Sequence, residues 1–169
     1  MCIRDRGKHV AGKSGRELDV FNPATGEVMS KVPLAGQEEV EQIVVKANTA
    51  FLEWGTTPSP KRAAIMFSMR EIMNQKRDEL AQIISLEHGK TIDDALGEVQ
   101  RGIDVLEFAC GIPHLLKGEL SPDVGGGIDT FSIREPIGVV GGITPFNFPI
   151  MVPGWMGVMA IAGGNTLIC

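Results

Sequence analysis

Ile137-Gly138-Val139-Val140-Gly141-Gly142-Ile143 leads through Thr144-Pro145-Phe146-Asn147-Phe148 into an apolar stretch over residues 149–162, then Gly163-Gly164-Asn165 and Thr166-Leu167-Ile168-Cys169. The outer segments are short runs of β-branched and aliphatic residues, and the middle one has helical length and many small residues, so the order reads strand, helix, strand. Two parallel strands joined by a helix form a βαβ unit, which crosses over right-handedly. Continuous apolar runs belong to a parallel sheet covered on both faces, which places the chain in the α/β class. The last strand only begins at Thr166, where about five or six residues are usual. The expectation is the N-terminal portion of a larger α/β protein, truncated after Cys169.

Charge divides the chain sharply. Of 169 residues, 16 are Lys or Arg and 21 are Asp or Glu, a net charge of −5, and none of these lies beyond Glu135. An uncharged stretch this long raises the question of a membrane span, but Pro145, Asn147, Pro149, Pro153 and the Gly163-Gly164-Asn165 turn interrupt it. Burial inside the protein is the expectation, and the membrane is not a partner. Nucleic acid is not a partner either, since no basic stripe is present to neutralise phosphates. Cys2, Cys110 and Cys169 contain no C-x-x-C pair, which fits a reducing compartment, the cytoplasm or an organelle matrix, better than a secreted disulfide framework. A hydrophobic share of 43% supplies a core and excludes global disorder.

Working back from the βαβ unit, Asp19-Val20-Phe21 and the segment 27–32 flank the turn Asn22-Pro23-Ala24-Thr25-Gly26 and predict an edge hairpin. Val40, Ile43, Val44, Ala47, Phe51 and Trp54 predict a packing helix that ends before Gly55. Ser59 with Pro60 predicts the N-cap of a second helix, whose stripe of Ile65, Met69, Ile72 and Met73 continues through Leu80, Ile83 and Ile84 to a left-handed cap at Gly89. Thr91 with Asp94 predicts the start of a third, carrying Ile92, Leu96, Val99, Ile103, Leu106 and Cys110 and ended by Gly111 and Pro113. Turn residues at 118–127 and the alternating segment 130–134 predict a loop and an extended strand.

The junction at 141–149 stands at the carboxyl end of a strand, where open α/β sheets bind ligands. It carries no G-x-G-x-x-G, so neither a conventional Rossmann turn nor a P-loop is present. Asn147 can donate two amide N–H groups to a developing oxyanion, or can simply cap the following helix. Arg101 falls opposite the apolar stripe, beside Gly97, Val105 and Phe108. Its planar fork suits a carboxylate, and the plainer reading is an ion pair with Asp94 or Glu98. His9, His88 and His114 have no ligand spacing, so no metal site is expected. Cys110 reads as a buried small hydrophobe.

Residues 19–28, Glu87-His88-Gly89-Lys90-Thr91, Gly138-Val139-Val140 and Pro145-Phe146-Asn147-Phe148-Pro149 resemble the aldehyde dehydrogenase superfamily. Within it, residues 97–111 and Pro113-His114-Leu115-Leu116-Lys117-Gly118 look like the CoA-acylating methylmalonate-semialdehyde dehydrogenases. The likeness runs from Gly7 to about Ile168.

The resemblance implies NAD-dependent oxidation of methylmalonate or malonate semialdehyde, as in valine or inositol catabolism. A cysteine thiohemiacetal gives hydride to NAD, and the thioacyl enzyme loses CO2 and is released by coenzyme A as propionyl-CoA or acetyl-CoA. It assigns Asn147 to the oxyanion hole, Arg101 to the substrate carboxylate, and Thr144, Pro145 and Phe146 to the nicotinamide and ribose side of the cofactor pocket. It further implies an oligomerisation hairpin, a homodimer or homotetramer, and a cytoplasmic or mitochondrial-matrix location.

Residues 1–6 depart from the family pattern and are expected to be a non-native extension. Residues 7–169 are expected to be an incomplete NAD-binding domain whose catalytic domain and nucleophilic cysteine lie beyond Cys169, leaving this stretch inactive alone. Gly154 and Gly157 stand where relatives carry bulkier residues, at a cost of roughly 1 kcal/mol each against alanine in a helix. The alternatives are an aldehyde dehydrogenase that hydrolyses its acyl-enzyme, and a noncatalytic remnant that binds complete subunits.

Overall fold

Two antiparallel hairpins begin the chain, β1 (Ile3–Asp5) with β2 (Lys8–Val10) and β3 (Glu17–Phe21) with β4 (Val28–Pro33). Helices α1 (Gln37–Trp54), α2 (Ser59–Gln75), α3 (Arg77–His88), α4 (Ile92–Cys110) and the short α5 (Ile112–Leu115) follow. A small hairpin of β5 (Leu120–Ser121) and β6 (Thr130–Phe131) precedes β7 (Val139–Gly141), α6 (Met151–Ala162) and β8 (Thr166–Ile168). This computed structural model describes residues 12–169 and the backbone of 3–5 and 8–10. Met1, Cys2, Arg6, Gly7 and Ala11, and with them part of the expected 1–6 extension, lie outside the described residues.

The expected α/β class is observed. β7 and β8 pair in parallel, Val139 opposite Thr166 and Gly141 opposite Ile168, with α6 as the crossover. The strand expected over 137–143 is shorter. Asn165 Oδ1 accepts from the N–H groups of Ile137 and Gly138, so these two are satisfied by a side chain instead of a ladder, and Gly138 takes φ 125. Ile137 and Ile143, 89% and 94% exposed, therefore correct the expectation of a wholly buried C-terminal segment. The strand expected at 130–134 likewise contracts to Thr130–Phe131, paired with Leu120–Ser121.

α4 is the centre. Ala95, Val99, Ile103, Leu106, Ala109 and Cys110 are buried on it, and two apolar clusters meet along its length. One joins α4 to Ala63 and Met66 of α2 and to Val158 and Ala162 of α6; the other joins it to Ala81 and Ile84 of α3. Thr91 caps the helix as expected, accepting from Asp94 N at 3.2 Å, and Gly89 closes α3 at φ 83. The continuous helix expected from Ser59 to Gly89 instead breaks at Lys76 (φ −101, ψ 15), where Lys76 Nζ bonds Glu79 at 2.8 Å. Pro58, not Ser59, is the N-cap of α2. The helix expected from Pro149 starts at Met151 after a turn.

The stripe on α1 was expected to pack, and Ile43, Ala47, Phe51 and Trp54 are half-buried with the helix against β7 and β8, while the stripe expected on α2 is corrected. Ile65, Met69 and Ile72 stay exposed because α2 presents Arg62, Ala63 and Met66 to the interior; on α1 only Val40 and Val44 of the stripe are exposed. The small Ala63 lets α2 close on α4. Two hydrogen bonds tie α1 to the βαβ unit, Trp54 Nε1 donating to Ile161 O at 3.0 Å and Thr166 Oγ1 to Ala47 O at 3.0 Å.

α6 contains no charge, yet both its ends meet one. Glu98 Oε1 of α4 accepts from Ile150 N (2.8 Å) and Met151 N (3.2 Å), and Arg62 Nε of α2 donates to Ala162 O (2.8 Å). The negative charge thus stands at the positive end of the helix dipole and the positive charge at its negative end. Among the described residues no helix is long and apolar enough to cross a membrane.

Candidate functional site

The loop after β7 emerges at the carboxyl end of the parallel pair. Gly142 N is its last ladder bond, to Ile168 O at 2.8 Å, and Val152 N to Phe148 O at 3.3 Å resumes regular bonding. Between them Ile143, Pro145, Phe146 and Asn147 are exposed and Thr144 is half-buried. Thr144 to Asn147, four of the five residues singled out from sequence, therefore share one loop. Phe146 is 92% exposed, so neither it nor Ile143 serves the core.

Asn147 does not cap α6. Ile150 occupies the N-cap position with no side-chain cap, and the acceptor for the first N–H groups is Glu98. The Asn147 amide forms no hydrogen bond among the described residues and remains available.

Arg101 lies on α4 one turn after Glu98, a spacing that makes the two neighbours on the helix surface. Its ion pair with Glu98, the plainer reading, is pre-empted. Glu98 Oε2 takes Lys90 Nζ at 2.6 Å, and the exposed Arg101 guanidinium pairs with no carboxylate among the described residues. α4 thus brings Arg101 to within about a helical turn of the residue that anchors the Asn147 loop.

Glu98 and Lys90 are the residues that sequence reasoning missed. Glu98 is fully buried, and burial pushes its carboxyl up. The Lys90 hydrogen bond and the Ile150 and Met151 N–H groups outweigh this and hold it below the usual glutamate range. Lys90 Nζ also stands 4.0 Å from the centroid of Phe148, the residue after Asn147. The signal was present, since helical arithmetic sets Glu98 between Ala95 and Gly102 on the buried face.

An open hollow of about 770 Å³ between α2, α4 and α5 shares none of these residues. The thiol in its wall, Cys110, is pushed up by burial, and Arg70 beside it is committed to Glu107 at 2.6 Å, which makes it a packing cysteine. Among the described residues no cluster of His, Cys, Asp and Glu could hold a metal.

The surface at the loop fits a nicotinamide cofactor in kind. Exposed aliphatic and aromatic faces at Ile143 and Phe146 flank the Thr144 hydroxyl at the carboxyl end of a parallel strand, where such sheets receive nucleotides.

Residues 9–169 match the model of the aldehyde dehydrogenase family. The chain is 51% identical over 162 residues to malonate-semialdehyde dehydrogenase 2 of Geobacillus thermodenitrificans, covering 96% of this chain and 34% of that protein. It is similar to the crystal structure of methylmalonate-semialdehyde dehydrogenase from Oceanimonas doudoroffii, at TM-score 0.90 and 51% identity over 94% of this chain and 33% of that one. A Sinorhizobium meliloti structure complexed with NAD matches at TM-score 0.91 and 49% identity, over 95% of this chain and 33% of the other. The chain thus spans about a third of the length of the curated relatives it matches. A family match over nearly the whole sequence, the shared fold and the loop at the carboxyl end of β7 agree, and the chain belongs to the aldehyde dehydrogenase family.

Proposed function

We propose that the full-length protein oxidises malonate or methylmalonate semialdehyde and releases the product as acetyl-CoA or propionyl-CoA. For malonate semialdehyde the balance is aldehyde, NAD and coenzyme A in, and acetyl-CoA, CO2 and NADH out. The observation that carries this reading is a side-chain amide, Asn147, at the carboxyl end of a parallel strand, with the guanidinium of Arg101 one turn from the anchor of its loop, neither of them paired among the described residues. Identity of about half to the malonate-semialdehyde dehydrogenase of Geobacillus thermodenitrificans supports the substrate class.

In this reading the aldehyde oxygen becomes an anion when a thiolate adds to the carbonyl carbon, and the Asn147 amide donates to it. A preorganised donor of this kind acts where charge develops and so lowers the barrier. Arg101 holds the substrate carboxylate by charge-assisted hydrogen bonds. Thr144, Pro145 and Phe146 line the nicotinamide and ribose side of the cofactor pocket. NAD, when bound, supplies the acceptor for the hydrogen that leaves the aldehyde carbon. Buried Cys110 is not the thiolate, and the nucleophile is assigned to the part of the relatives' length that this chain does not span. The exposed Leu120, Phe131 and Ile133 around β5 and β6 support a homodimer or homotetramer built through this hairpin.

The test supplies the full-length protein with malonate semialdehyde, NAD and coenzyme A and identifies the product by mass spectrometry. Acetyl-CoA is expected; free acid formed at the same rate with or without coenzyme A overturns the acyl-transfer reading. Asn147→Ala is expected to lower kcat by about 100-fold or more. A near-wild-type rate removes Asn147 from the oxyanion hole.

A further inference from the structure

A buried ion pair is weak grounds for stability, since well-packed apolar residues of the same volume serve as well or better. Lys90 and Glu98 are such a pair, 13% and 0% exposed at the side chain, and their contacts all converge on one place. Glu98 Oε1 takes the N–H groups of Ile150 and Met151, three and four residues after Asn147. Glu98 Oε2 holds the Lys90 ammonium, which in turn sits 4.0 Å over the ring of Phe148. No backbone hydrogen bond among the described residues holds 143–147. The first anchors downstream of Asn147 are therefore the Phe148 ring and the start of α6, and both depend on Glu98.

The geometry points to Glu98 as a positioning residue that aims the Asn147 amide, acting through Lys90 and Phe148 on one side and the first N–H groups of α6 on the other. An apolar residue at position 98 would fill the space and could do neither. The inference rests on the oxyanion reading of Asn147. It adds a claim that reading does not make, that the contribution of Glu98 to turnover passes through one amide. A donor displaced by about 1 Å loses much of its effect on a transition state, with costs up to about 100-fold.

The experiment is a double-variant cycle in the full-length protein with malonate semialdehyde as substrate. Glu98→Gln keeps the size and one acceptor but loses the charge that holds Lys90. It is expected to lower kcat about tenfold or more in the wild-type background. In an Asn147→Ala background the same change is expected to cost less than about twofold, because the group it aims is already gone. Equal losses in the two backgrounds, or full activity of Glu98→Gln alone, overturn the positioning role while leaving the oxyanion reading intact. A wild-type rate for Asn147→Ala overturns both. If Glu98→Gln does not fold, as judged by its thermal midpoint, Phe148→Leu replaces it in the cycle under the same criteria, since it removes the ring beneath the ammonium and keeps an apolar side chain.

Discussion

Replacing Lys90 by methionine isolates the energetics of the clamp. The variant keeps an unbranched side chain of similar reach and removes the ammonium 2.6 Å from Glu98, leaving a fully buried carboxylate with only the Ile150 and Met151 N–H groups. Breaking a buried pair from one side costs about 3–5 kcal/mol. With a urea slope of about 2 kcal/mol/M, the unfolding midpoint at pH 7 is expected to fall by roughly 2 M. The pH dependence supplies the stricter check. In the unaltered protein Glu98 titrates below the ordinary glutamate range, so its contribution is complete above that range and is lost as pH falls through the lower folded value. In Lys90→Met burial, the largest single influence on Glu98, is opposed by the two N–H groups alone, so the folded value rises and protonation relieves the buried charge. The deficit relative to the parent therefore shrinks as pH is lowered from about 7 to about 5. Urea unfolding followed by circular dichroism at both pH values measures it. A deficit below about 1 kcal/mol at pH 7, or one that is equal at both pH values, refutes the reasoning.

Three further outcomes are expected. Gly154→Ala should stabilise the protein by about 1 kcal/mol, since its added Cβ meets nothing within 4 Å, while Gly157→Ala gains less because its Cβ meets Leu167 Cδ2 at 3.1 Å; paired urea midpoints distinguish them. Arg62→Met loses the bonds to Ala162 O and Thr57 O, offset in part by no longer burying a guanidinium, and should destabilise by about 2–3 kcal/mol in the same assay. Arg101→Leu should raise KM for malonate semialdehyde about tenfold more than for propanal, and equal effects on the two substrates would exclude a carboxylate role.

What could be read from sequence follows from which forces act locally. The α4 stripe was legible because Val99, Ile103, Leu106 and Cys110 repeat at helical spacing and meet neighbours on two sides. The Thr91 and Gly89 caps were legible because their chemistry is confined to a few residues. α2 misled because periodicity says that a face is apolar, not that something covers it, and Ala63 and Met66 packed while Ile65, Met69 and Ile72 did not. The position of the loop at 144–147 was legible from strand order. Its anchor was not, since helical spacing sets Glu98 on the buried face but does not name its partner, and Ile150 lies 52 residues on. Asn165 escaped notice for the same reason: a turn residue in sequence, it ends the β7 ladder only by reaching back 28 positions to Ile137.

The uncharged α6 depends for both its termini on residues made long before it. A ribosome delivers Arg62 and Glu98 first, 100 and 52 residues ahead of the atoms they bind. Met151–Ala162 cut out as a peptide has neither charge at its ends and is short for a helix in water. Among the described residues the faces of α2 and α4 supply the charged partners at its two ends. The charges that α6 and the loop at 143–149 need are thus already present on α2 and α4 when that part of the chain is made.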